Sequence, residues 1–106
     1  MLTPNPSTQI SYSSPRQIAA ASQSSGQVMY TVPAGKKFQG SIWSNSAGTT
    51  EYITPAGGSQ IDISVPGVNT SYTAVSPLQI TLVAGTIVTH GSSSYRSFLV
   101  GVETDA

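Results

Sequence analysis

The chain has 106 residues, only 8% of them charged, with four basic and four acidic side chains that sum to zero at pH 7. Without a positive field it is not expected to bind nucleic acid or an anionic membrane surface, and it has no apolar run long enough to cross a bilayer as a helix. There are no cysteines, so disulfides and thiolate metal sites are excluded.

This length makes a single domain with one core, burying roughly two thirds of the surface that the unfolded chain exposes. An ordinary soluble domain carries about a quarter charged residues; here serine, threonine, asparagine and glutamine cover the surface instead. So little charge leaves weak repulsion between copies, which biases the reading toward assembly. Residues 1–20 lack a basic start followed by an apolar stretch, so no secretory signal is expected.

Residues 1–26 mix prolines, serines and alanines and read as an extended N-terminal arm ahead of a β-sandwich domain over 27–106. Pro4, Pro6 and Pro15 bias their predecessors toward extended geometry. Leu2, Ile10, Tyr12 and Ile18 are its candidate anchors on a partner, and Ile10 and Tyr12 share a face if the arm adds to a sheet edge. Arg16–Gln23 has modest helix propensity through its alanines but is too short to be helical alone. Deleting residues 1–26 is expected to leave a folded domain.

From Gln27 onward short alternating runs are separated by turn signals, the pattern of an all-β chain. Val28, Tyr30 and Val32 share one face of a first strand. Val32-Pro33-Ala34-Gly35 then reads as a type I turn with glycine at i+3. Phe38, Gly40 and Ile42 line one face of the next strand and Gln39, Ser41 and Trp43 the other. Trp43 is either a core residue of a second face or an exposed partner contact.

Thr50–Thr54 places Glu51 and Ile53 opposite Tyr52, and Ile61, Ile63 and Val65 alternate with Asp62 and Ser64. Val65-Pro66-Gly67-Val68 has the type II preference. Further strands are expected at Tyr72–Val75, Leu78–Leu82, Thr86–Thr89 and Tyr95–Glu103. In the last, Phe98, Val100 and Val102 share a face and Gly101 marks a bulge or a close approach. Proline- or valine-alanine-glycine turns recur after Val32, Thr54 and Leu82 as shared turn chemistry, at spacings too unequal for a repeat. The sum is an antiparallel β-sandwich or jelly roll of about eight strands.

The chemical inventory is thin. His90, the one histidine, falls in the glycine-serine loop HGSSS and reads as a solvated loop residue. A serine nucleophile would need it as base with Asp62 or Glu51 behind it, and no serine lies in a nucleophile elbow. Glu51 and Asp62 fall on neighbouring strands, as a glycosidase pair would, yet Asp62 alternates outward into solvent. Glu103 and Asp105 are too sparse for a calcium site, and the PAGK and PAGGS loops lack the spacing and the helix of a phosphate loop. No enzyme, metal or cofactor is expected. Asn69-Thr70-Ser71 matches the glycosylation triplet, which matters only for a secreted chain.

Tyr30–Lys36 with its valine-proline-alanine-glycine turn, Pro77–Gly85 with its alternating strand and alanine-glycine turn, and the closing Gly101-Val102-Glu103 resemble small tailed-phage virion proteins built as a β-sandwich or jelly roll. The likeness covers the last three quarters of the chain. It implies a non-enzymatic capsid decoration or cement protein on the head surface of a virion, a homo-oligomer taken as a trimer, with the major capsid protein or another virion protein as partner. The alternative is a tail or fibre accessory module that binds a receptor or carbohydrate, with Trp43, Tyr52, Tyr72 and Tyr95 as stacking platforms.

Overall fold

The computed structural model describes residues 15–67 and 77–106, and all of the following concerns those residues. Leu2, Ile10, Tyr12 and the strand expected at Tyr72–Val75 lie outside them. Among the described residues there are eight strands and no helix. They are β1 (Arg16–Ser22), β2 (Val28–Thr31), β3 (Lys36–Ser44), β4 (Thr49–Thr54), β5 (Ile61–Val65), β6 (Leu78–Leu82), β7 (Ile87–His90) and β8 (Ser97–Asp105).

Two antiparallel four-stranded sheets form, in the orders β1-β8-β3-β6 and β2-β7-β4-β5. Only β4 and β5 are neighbours in both sequence and sheet, so every other connection between consecutive strands crosses from one sheet to the other. This is the wound arrangement of an eight-stranded jelly roll. The expected all-β sandwich is therefore what the chain forms.

Seven of the strands expected from the sequence fall within the described residues and all seven form; the eighth is not an expected one. Arg16–Ser22, within the stretch read as an arm, is an edge strand paired with β8 from Arg16↔Glu103 to Ser22↔Ser97. Its alanines do not make a helix, because Ile18, Ala20 and Ser22 alternate inward and the β8 edge offers a full ladder of partners. Ile18 thereby enters the core of its own chain.

Inward residues of both sheets build one core of Ile18, Val32, Phe38, Ile42, Val65, Leu82, Val88 and Leu99. On β8 the inward residues are Ser97, Leu99 and Glu103, with Gly101 between the last two, while Phe98, Val100 and Val102 point outward together. Gly101 is a close approach. It sits opposite Gly40 on β3, and a Cβ built on either glycine would lie 2.6 Å from Cζ of the Phe38 ring. The Phe38 ring covers this pair and meets Tyr30 of the other sheet with centroids 5.3 Å apart.

The recurring turns are real and share one geometry. Lys36 N–H donates to Pro33 O at 3.1 Å, Gly58 N–H to Pro55 O at 3.0 Å and Thr86 N–H to Val83 O at 3.2 Å. In each the third residue is a glycine with φ near +70 to +85°: 76° at Gly35, 69° at Gly57 and 84° at Gly85. This is the type II pattern, in which i+2 needs φ > 0. The first turn is thus Pro33–Lys36, one residue later than the type I turn expected at Val32–Gly35. Conversely, Gly67 has no positive φ and makes no type II turn; it bridges to Ser44, so close that a Cβ would meet the Ala47 nitrogen at 2.0 Å. The three alanine-glycine turns cluster at one end of the sandwich, and Gly85 packs on Ala56 of the neighbouring turn. The β3–β4 and β7–β8 loops lie at the opposite end.

Candidate functional site

The strand alternation of β4 carries Glu51 inward beside Thr49, and β7 carries His90 inward beside Val88. The two are register partners, and both are completely buried. His90 is therefore not a solvated loop residue: β7 runs one residue further than expected and turns the imidazole into the interior.

Ser97, buried at the start of β8 in the facing sheet, completes the cluster. Its hydroxyl donates to Glu51 Oε2 at 2.7 Å, and His90 Nδ1 lies 2.7 Å from the same oxygen. His90 Nε2 lies 2.7 Å from the Tyr95 carbonyl, which can only accept, so Nε2 carries a proton and donates. A second proton is shared between Nδ1 and Oε2.

Burial is the largest influence on Glu51 and raises its pKa above the ordinary value of 4.5; the Ser97 hydroxyl, His90 and the Gly91 amide pull in the opposite direction. Glu51 Oε1 is buried with no hydrogen-bond partner among the described residues. The Gly91 N–H donates to the Thr50 carbonyl at 3.1 Å.

These three residue types belong to hydrolytic triads, but their order is wrong for one. In a triad the serine hydroxyl meets the histidine and the carboxylate stands behind it. Here Ser97 meets the carboxylate, and both imidazole nitrogens are occupied. What the cluster does is tie the sheets together and fix the loop after β7. Asp62 faces solvent on β5, opposite Tyr52, away from the cluster.

A second polar link joins the sheets at the other end. Tyr30 of β2 donates its hydroxyl to Glu103 Oε2 of β8 at 2.5 Å, and Arg16 of β1 approaches Glu103 Oε1 at 3.5 Å. Burial first and this hydrogen bond second hold the Tyr30 hydroxyl well above its usual pKa. Asp105 pairs with Lys36 at 2.6 Å. Neither acid stands in a calcium-like group of oxygens.

The outer faces of the two sheets differ. On β2-β7-β4-β5 the outward residues are mostly hydroxylated, with Thr50, Thr54, Thr89 and Ser64 around Tyr52. On β1-β8-β3-β6 the register sets Ala21, Phe98 and Trp43 in one row and Ala19, Val100, Ser41 and Gln79 in the next. Gln17, Val102, Gln39 and Thr81 form a third row. None of these side chains is charged. Trp43 lies flat against Phe98, with centroids 5.5 Å apart and planes 23° from parallel, half-buried on this face. Of the anchors proposed from sequence, then, Trp43 stands on an outer face and Ile18 is spent inside the sandwich. The Phe98, Val100 and Val102 alternation already held the signal for the apolar face, once Ser97, Leu99 and Glu103 are seen to point inward.

Comparison with protein-family models, with curated proteins and with solved structures finds no match to this chain.

Proposed function

We propose that this chain is a non-enzymatic structural protein of a virion, a capsid decoration protein that docks as a homo-oligomer, taken as a trimer, on the major capsid protein. The observation that carries the reading is the outer face of the β1-β8-β3-β6 sheet, uncharged over its three rows from Trp43 to Val102 and bounded by Lys37 in the row beyond, where the Trp43–Phe98 stack adjoins Ala21 in its own row and Val100 and Ala19 in the next. Contiguous apolar surface of this kind is the mark of a contact face, and here its aromatic pair stands in the end row. Jelly rolls serve capsids, lectins and cupins alike, so the architecture is compatible with the reading without selecting it.

The interior supports a scaffold role. Glu51, His90 and Ser97 are buried and bonded to one another through Glu51 Oε2, and the inter-sheet links stiffen the body that presents the face. Residues 1–14, with Leu2, Ile10 and Tyr12, supply a second contact segment in this reading, adding avidity across neighbouring subunits.

The test is to add purified chain to particles of the virus that encodes it and image them by electron microscopy. Symmetric density over the head, lost with Val100→Lys while the variant stays folded, is the expected result. Absence from the head sinks the proposal. A few copies at the tail would instead favour the fibre-module reading.

A further inference from the structure

At the end of the sandwich away from the alanine-glycine turns, a cleft of about 260 Å³ opens between the β3–β4 and β7–β8 loops. Its lining includes Gly48, Thr49, Thr50, Gly91, Ser92 and Tyr95, none of them charged. We propose that this cleft is a binding site for a neutral saccharide unit, stacked on the ring of Tyr95 and hydrogen-bonded by the hydroxyls of Ser92 and Thr50.

The first argument is the fixity of Tyr95. Tyr95 is 46% exposed, yet its backbone is held at both ends. The N–H donates to Ser92 Oγ at 3.3 Å and the carbonyl accepts from His90 Nε2 at 2.7 Å. His90 is fixed in turn by Glu51, and Glu51 by Ser97, all completely buried. A polar chain running out of the core therefore ends on the backbone of one exposed aromatic residue. That is preorganisation: the entropy of ordering the loop is met in folding rather than on binding.

The second argument is the chemistry left open to a ligand. Ser92 Oγ accepts from the amides of Ser94, at 3.1 Å, and Tyr95, which leaves its own proton available to donate. The Thr50 hydroxyl makes no hydrogen bond to other described residues. Thr49, by contrast, is committed to Ser44 and to the Ser46 carbonyl at 2.8 and 2.7 Å and serves as wall. An aromatic face beside free hydroxyls, with no charge, suits a ring that has an apolar C–H face and a hydroxylated rim. An anion finds no cation among the lining residues, and a purely apolar ligand would strand the hydroxyls. The volume is below the roughly 300–1,000 Å³ of sites for drug-sized ligands and matches a small sugar.

The inference does not rest on the capsid reading, since the cleft and the apolar sheet face share no residue. The test is saturation-transfer NMR on the full chain with neutral hexoses and N-acetylhexosamines, followed by an array of neutral and acidic oligosaccharides. Binding in the millimolar range to at least one neutral sugar is expected, weakened about tenfold by Tyr95→Ala and retained by Tyr95→Phe, because stacking needs the ring and not its hydroxyl. Unchanged melting of both variants shows that the loss is local. Three results overturn the proposal: silence across the neutral panel, binding unaffected by Tyr95→Ala, and binding confined to acidic sugars.

Discussion

Gly40 and Gly101 face each other across the β3–β8 pair, and the Phe38 ring lies over both. A Cβ at Gly40 would fall 2.3 Å from the Val100 carbonyl oxygen, and one at Gly101 would fall 2.4 Å from that of Gln39. Both obstacles are backbone in the middle of a sheet and have no room to yield. Gly40→Ala and Gly101→Ala are each expected to destabilise the fold by about 1–3 kcal/mol through overpacking, read as a lower urea midpoint at unchanged m-value. The double variant should cost less than the sum, since both added methyls displace the same ring. Wild-type midpoints in both single variants would show that Phe38 moves freely, contrary to this packing.

The buried carboxyl makes stability depend on pH in a defined direction. Burial raises the folded pKa of Glu51 above its ordinary 4.5, so between these two values the folded chain holds more protons than the unfolded one. The contribution of Glu51 is complete below pH 4.5 and is lost as pH climbs toward the raised value. Glu51→Gln removes that titration yet keeps the geometry. Its amide can donate to both His90 Nδ1 and Ser97 Oγ, while the neutral carbonyl takes the unpartnered position of Oε1. The wild type should lose stability from pH 4.5 toward neutrality, and Glu51→Gln should show a flatter profile; equal slopes would refute the assignment. Glu51→Ala, which strands His90 and Ser97, is expected to cost about 3 kcal/mol.

Much of this architecture is legible in the sequence where a local rule and the packing agree. Ile61, Ile63 and Val65 alternate and form β5; the alanine-glycine turns need φ > 0 and have the glycine to supply it. The reading fails where partners in the other sheet reverse local preference. Hydropathy marks Phe98, Val100 and Val102 as the prominent face of β8, yet the inward face is Ser97, Leu99, Gly101 and Glu103. Ser97 and Glu103 find partners in Glu51 and Tyr30, and Gly101 makes room for Phe38. Likewise HGSSS ends a strand by composition, whereas His90 continues the alternation of Val88 because Glu51 receives it. The Tyr95 cleft had no sequence signal beyond an aromatic in a polar loop, since the contacts that fix it run through His90 and Ser97 to Glu51 on a distant strand.

The alanine-glycine turns offer an internal comparison. Gly35 and Gly85 have the same sign of φ, 76° and 84°, so an alanine at either bears the left-handed penalty of about 1–2 kcal/mol. Around Gly35 there is open space, but a Cβ on Gly85 would lie 2.6 Å from the Ala56 methyl. Gly85→Ala should therefore melt lower than Gly35→Ala, and Ala56→Gly should restore much of the difference. Equal melting temperatures would mean that the two turns do not touch.

Truncation separates the segment outside the described residues from the edge strand that follows it. Residues 1–14 precede β1, whereas Arg16–Ser22 supplies a full ladder to β8, the core residue Ile18 and an approach to buried Glu103. Removing residues 1–26 therefore takes away a strand, uncovers the β8 edge and opens a cavity where Ile18 packs. Loss of that side chain alone is worth about 2–5 kcal/mol. Removal of residues 1–14 should leave melting and amide protection of β8 near wild type, whereas removal of 1–26 should yield an unstable, aggregation-prone chain. Ile18→Ala in the full chain distinguishes a packing role from a simple chain-end effect, because it should lower stability with every backbone hydrogen bond of β1 in place. A cooperative, wild-type-like unfolding transition after deletion of 1–26 would show that β1 is dispensable to the sandwich and free to serve a partner instead.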